Sequence, residues 1–134
     1  MNGISISPNG IHSQFDNYNK DSDLTELEKQ ALSYIKQEFE ENDIDFNTLS
    51  FRRRSEDYLT ILAYNEYDFC RLKVTERSIW FSINGIILPN SIKNDPRFDG
   101  VKKSLIHWKI KLPNIESIKD NADLILESYL ALKN

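Results

Sequence analysis

From Tyr58 to Ile83 the chain runs through three short segments of period-two alternation, joined by connections of only a few residues. A crossover to a parallel neighbour needs a dozen or more residues, so these segments are expected to pair antiparallel, as a meander. Tyr58 to Tyr64 sets Leu59, Ile61 and Ala63 against Tyr58, Thr60, Leu62 and Tyr64. Both sets are fairly apolar, which predicts a strand inside the sheet. After the turn Asn65-Glu66-Tyr67-Asp68, Phe69 to Val74 places Cys70, Leu72 and Val74 opposite Phe69, Arg71 and Lys73. Thr75-Glu76-Arg77 turns the chain into Ser78 to Ile83, rich in β-branched and aromatic residues. Leu49 to Arg53 reads as a short strand leading into the run Arg52, Arg53, Arg54. Ile106 to Leu112 has the cleanest alternation, with Ile106, Trp108, Ile110 and Leu112 facing one way and His107, Lys109 and Lys111 the other.

Helical spacing flanks these strands. Leu24, Leu27, Ala31, Ile35 and Phe39 recur as one apolar stripe, predicting a helix that ends at Glu41 or Asn42. Asp23 at the N-cap and Glu26 three residues later form a capping box, so the helix is expected to begin near Asp23. A second helix is predicted from about Ile115 to Leu132, carrying Ile118, Leu124 or Ile125, Tyr129 and Leu132 along one side. Asn84-Gly85 is a hairpin signal because both positions tolerate positive φ. The favoured reading is instead a surface excursion from Ile86 to Ser104, with one helical turn around Asn90 to Lys93. Residues 1–22, with Gly3, Pro8, Gly10 and many Asn and Ser, read as a flexible arm ahead of a single domain spanning 23–134.

The fold class that follows is α+β: a two-layer sandwich of four to five mainly antiparallel strands with both terminal helices on one face. No apolar run approaches the ~20 residues that cross a bilayer, and Met1 to Pro8 lacks the pattern of a secretory signal. The lone cysteine, Cys70, permits no intrachain disulfide, so a cytoplasmic location and no membrane partner are expected. Charge is segregated. Residues 1–47 hold three Lys and no Arg against ten Asp and Glu, a balance of −7; residues 48–134 hold fourteen Lys and Arg against eleven acids, a balance of +3. Either the acidic helix complements the basic sheet internally, or the basic part docks an anionic partner.

Most catalytic chemistries lack their residues. One Cys and two His without Cys-x-x-Cys or His-x-x-x-His spacing do not make a structural zinc site. Gly3, Gly10, Gly85 and Gly100 lie too far apart for a phosphate-cradling loop, and a Gly-x-Ser-x-Gly elbow is missing. A thiol nucleophile would pair Cys70 with His107, but strand parity puts one inward and the other outward. Asp95 and Asp99 are candidates for a cation; Asp95-Pro96 and Asp99-Gly100 also suit plain turns. No metal, cofactor or catalytic group is therefore assigned, and a non-enzymatic role is expected.

The candidate binding residues are cationic. Arg71 and Lys73 project from one strand, Lys109 and Lys111 from another; should their outer faces align, four cations share a surface with His107. Arg52, Arg53 and Arg54, with Lys102 and Lys103, would extend it. Tyr58, Tyr64 and Phe69 would interleave with these cations, giving the charge-plus-stacking combination suited to single-stranded nucleic acid. The competing reading is a solvated sheet face whose lysines keep strand edges soluble. The sequence pI of about 5.2 weighs against a dedicated nucleic-acid binder.

Tyr67-Asp68-Phe69-Cys70-Arg71-Leu72-Lys73-Val74-Thr75, then Trp80-Phe81-Ser82-Ile83, Asp95-Pro96-Arg97-Phe98, Trp108-Lys109-Ile110-Lys111-Leu112 and the ending Leu124-Ile125-Leu126-Glu127-Ser128-Tyr129 form a series. The series resembles a group of small bacterial α+β domains found alone or appended to nuclease-like or zinc-ribbon proteins. The strand tryptophan and the terminal Ser-Tyr are also similar to YjbR-type bacterial proteins. The first resemblance implies an accessory or recognition domain of bacteria or of mobile elements such as phage, and neither supplies catalytic residues. The expected function is a non-catalytic binding or interaction module, with a protein partner or self-association. The alternative is a nucleic-acid-binding accessory domain using the basic sheet face.

Overall fold

The computed structural model describes residues 24–55, 58–64, 67–88, 90–98 and 107–133, with the backbone alone at 54, 55 and 133. Helix α1 (Glu26–Glu41) is followed by a 3-10 turn (Phe46–Thr48) and strands β1 (Leu49–Ser55), β2 (Tyr58–Ala63), β3 (Tyr67–Val74) and β4 (Ile79–Asn84). A one-turn helix α2 (Asn90–Lys93) and a 3-10 turn (Pro96–Phe98) lead on to β5 (His107–Leu112) and α3 (Glu116–Lys133). The five strands lie in sequence order, every neighbouring pair antiparallel. The expected α+β sandwich is therefore present, with a complete meander as its sheet layer.

Strand parity decides which residues meet the helices. Ladder partners share a face, so the register Phe51↔Ile61↔Cys70↔Ile83↔Trp108 and its neighbour Arg53↔Leu59↔Leu72↔Phe81↔Ile110 assign one face of all five strands. Against this face α1 sets Ala31, Ile35 and Phe39, and α3 sets Ile118, Ile125 and Tyr129, all at or near complete burial. Tyr129 joins both layers. Its ring lies 5.3 Å from that of Phe39 and 5.9 Å from that of Phe69, and its hydroxyl meets Thr48 Oγ1 at 2.9 Å. Each large side chain enclosed this way contributes about 1.5–3 kcal/mol.

Three local expectations are corrected. The N-cap of α1 is Thr25, not Asp23, which lies outside the described residues. Thr25 and Glu28 close a reciprocal capping box: Glu28 N–H donates to Thr25 Oγ1 at 3.1 Å, and Thr25 N–H donates to Glu28 Oε1 at 2.9 Å. This box wins because Glu28 is also held by Arg53 on β1, a reward that Glu26, at the exposed end of the helix, does not receive. The stretch after β4 forms the helical turn at Asn90–Lys93 in place of a return strand, yet it is not wholly superficial. Leu88 and Phe98 are buried, and Phe98 packs edge-on against Trp108 at 5.1 Å. Gly85 serves this packing: a Cβ there would sit 2.8 Å from Trp108 Cδ1 and 2.9 Å from Cε2. The glycine is required by close approach of the indole, not by a hairpin.

The third correction is a bulge in β3. The register passes from Ile61↔Cys70 to Leu62↔Asp68, so Phe69 is the extra residue. The bulge turns Phe69 to the helix side, where it is fully buried against Tyr129, instead of outward beside Arg71.

Candidate binding face

No helix among the described residues packs on the other face of the sheet. Its composition follows from the same register. One row across it reads Tyr58, Lys73, Trp80, Lys111 on β2 to β5; the next reads Arg52, Thr60, Arg71, Ser82, Lys109 on β1 to β5. Thus Arg71 and Lys73 on β3, and Lys109 and Lys111 on β5, form two cationic rails with β4 between them. Neighbouring strands are about 4.8 Å apart, which separates the rails by roughly 10 Å. On β4 the outward residues are Trp80, the small, buried Ser82 and Asn84, and on β2 they are Tyr58 and the buried Thr60 and Leu62.

The aromatic content is concentrated in one place. Tyr58 and Trp80 lie two strands apart, yet their rings lean together across Lys73 to a centroid separation of 5.9 Å. Lys109 Nζ stands 4.3 Å from the centroid of the Trp80 ring, close enough for a cation–π contact. Arg71 Nη2 donates to Asp68 Oδ2 at 3.2 Å, the carboxylate that the β3 bulge brings to this face. His107 sits at the same end of β5, where burial and then the positive charge of Arg71 lower its pKa below the ordinary histidine value. The shift favours the neutral imidazole, which adds a hydrogen-bond donor and acceptor to the face.

The structure brings together Arg52, Arg71, Lys73, Lys109, Lys111 and His107 on one face. Arg53 does not join them. It is one residue out of phase with Arg52, faces the helices, and donates from Nη2 to Glu28 Oε1 at 2.6 Å and from Nη1 to Oε2 at 3.1 Å. Arg54 is described by its backbone alone, and Lys102 and Lys103 lie outside the described residues. Of the aromatics expected to interleave with the cations, only Tyr58 does so. Tyr64 instead stacks on Tyr129 at 5.7 Å, and Phe69 is in the core. Trp80 was not foreseen, although the alternation Trp80, Phe81, Ser82, Ile83 carries the signal: Phe81 and Ile83 inward oblige Trp80 outward.

Groups with catalytic potential are kept apart or already engaged. Cys70 is buried on the helix side, and burial, reinforced by Asp68, pushes its thiol far above the ordinary range, so it stays protonated. His107 is on the opposite face. Asp95 is taken by Arg97, whose guanidinium donates from Nε and Nη2 to Asp95 at 2.9 and 2.8 Å and from Nη1 and Nη2 to Asp123 at 2.8 Å each. This clamp ties the 3-10 turn at Pro96–Phe98 to α3 and holds the Asp95 carboxyl down at about 2. Asp99, the other acid considered for a cation, lies outside the described residues. Among the described residues no three His, Cys, Asp or Glu side chains gather as metal ligands, and no helix is long and apolar enough to cross a membrane.

Charge is divided between the layers. α1 carries Glu26, Glu28, Glu38, Glu40 and Glu41 against Lys29 and Lys36, whereas β5 carries two lysines and no acid. Comparison with known proteins finds no matching family model, no matching curated protein and no matching solved structure.

Proposed function

We propose that this chain is a non-catalytic binding module whose ligand is polyanionic and lies on the cationic face of the sheet. The observation that carries this reading is the register: it sets Arg71, Lys73, Lys109 and Lys111 in two rails on the side away from the acidic helix. Lys109 and Lys111, exposed on β5, attract an anionic ligand, and the cations of β3 add to the same field. The acidic helix on the far side repels the same ligand, so the field of the whole domain orients the encounter. The sequestered thiol, the distant imidazole and the Arg97-bound carboxylates support a role without catalysis.

Retention on a heparin column tests the reading. Although its formal net charge is −4, the full chain is expected to bind at low salt and elute as salt rises, because the contacts are ionic. Lys109→Glu combined with Lys111→Glu should abolish retention, while Glu38→Gln on α1 should leave it unchanged. Flow-through of the unsubstituted protein at low salt would refute the proposal.

A further inference from the structure

The two rails differ from a simple basic patch in what lies between them, and that difference names the ligand more closely. We infer that the polyanion is single-stranded nucleic acid, with a base stacked on the Trp80–Tyr58 platform and flanking phosphates held by the rails; this rests on the binding role proposed above. Trp80 lies between the cations of β3 and β5 in one cross-strand row, and Tyr58 reaches it from β2 across Lys73. A sheet presenting aromatic rings flanked by lysine and arginine satisfies the two requirements of a single strand: base faces need a π-surface, phosphates need cations.

Ser82 follows Trp80 on the same face of β4 and Thr60 follows Tyr58 on β2, both small and buried, so the rings are the large outward side chains of their row. Lys109 Nζ covers a face of the Trp80 ring, so a base that stacks there displaces the ammonium, which is then free to meet the phosphate attached to that base. A duplex fits less well, since its base faces are already stacked on one another and offer Trp80 nothing to cover. An acidic peptide would use the cations but leave the aromatic platform without a flat partner.

Competition binding with the full chain separates these ligands. A labelled oligothymidylate is the probe, and the competitors are a strand of equal length lacking bases, the hybridised duplex and polyglutamate. The oligothymidylate is expected to bind at least tenfold more tightly than the abasic strand, a ratio within the range found for stacking a base on an aromatic side chain. Trp80→Ala should collapse that ratio towards one while the abasic strand still binds, and Trp80→Phe should restore part of it. A far-ultraviolet circular dichroism spectrum and urea midpoint close to those of the unsubstituted chain show that the alanine variant is folded. An abasic strand, duplex or polyglutamate bound as tightly as oligothymidylate would overturn the inference while the polyanion-binding role stands; absence of heparin retention would overturn both.

Discussion

Replacing Glu28 by alanine is expected to destabilise the domain by about 3–4 kcal/mol, far more than one helix-surface glutamate normally contributes. The magnitude follows from what its carboxylate holds. Oε1 accepts from both the Thr25 amide and Arg53 Nη2, and Oε2 accepts from Arg53 Nη1, while the side chain retains only 2% exposure. Removing one partner from a buried ion pair costs about 3–5 kcal/mol. The Arg53 side chain keeps 29% exposure, so water recovers part of that. Losing half of the capping box adds about 1 kcal/mol. Glu28→Gln keeps the shape and one acceptor and should cost about half as much. Urea denaturation followed by far-ultraviolet circular dichroism measures each variant, and a cycle with Arg53→Met isolates the pair. The coupling energy should reach about 2 kcal/mol and change little with added salt, because a pair so enclosed is poorly screened. A loss below about 1 kcal/mol for Glu28→Ala, or a coupling near zero, would refute the claim that this pair fastens α1 to the sheet.

Gly85→Ala should lower the thermal midpoint, since the new methyl collides with the Trp108 indole, and Trp108→Leu in the same chain should recover part of the loss. Cys70 should resist a thiol reagent in native buffer and react on addition of denaturant; rapid native labelling would show that the helix-side face is not closed over it. Acid titration reads the Arg97 clamp. Asp95 has its pKa depressed from the usual 3.8 to about 2, first by the Arg97 side chain. Its stabilising contribution is therefore complete above pH 4 and is lost as pH falls from about 4 to about 2. Asp95→Asn should remove that component of the acid transition and lower stability at neutral pH, both checked by thermal melts across the pH range.

Alternation made much of this architecture legible because a strand has only two faces. Leu72 inward obliges Lys73 outward, and Ile110 inward obliges Lys109 and Lys111 outward, so the cationic rails follow from the pattern alone. The same rule separates Arg52 from Arg53, but within Arg52-Arg53-Arg54 no apolar neighbour marks the phase, and it is Phe51 facing the core that sets it. Phe69 was unreadable for a different reason. The bulge that turns it inward depends on the pairing between β2 and β3, which no local pattern records. Thr25 and Glu28 form a capping box as plain as that of Asp23 and Glu26; what selects between them is an arginine on β1. Trp80 stands between Ile79 and Phe81 in an apolar run, so its outward position is marked only by the phase that Phe81 and Ile83 set.

Amide chemical-shift mapping with a short heparin oligosaccharide tests most directly whether the far face of the sheet is where this domain meets its ligand. The largest changes are expected at Arg71, Lys73, Trp80, Lys109 and Lys111, together with the Trp80 indole N–H, and α1 should stay silent. Changes confined to α1 or α3, or spread evenly over the surface, would contradict the account.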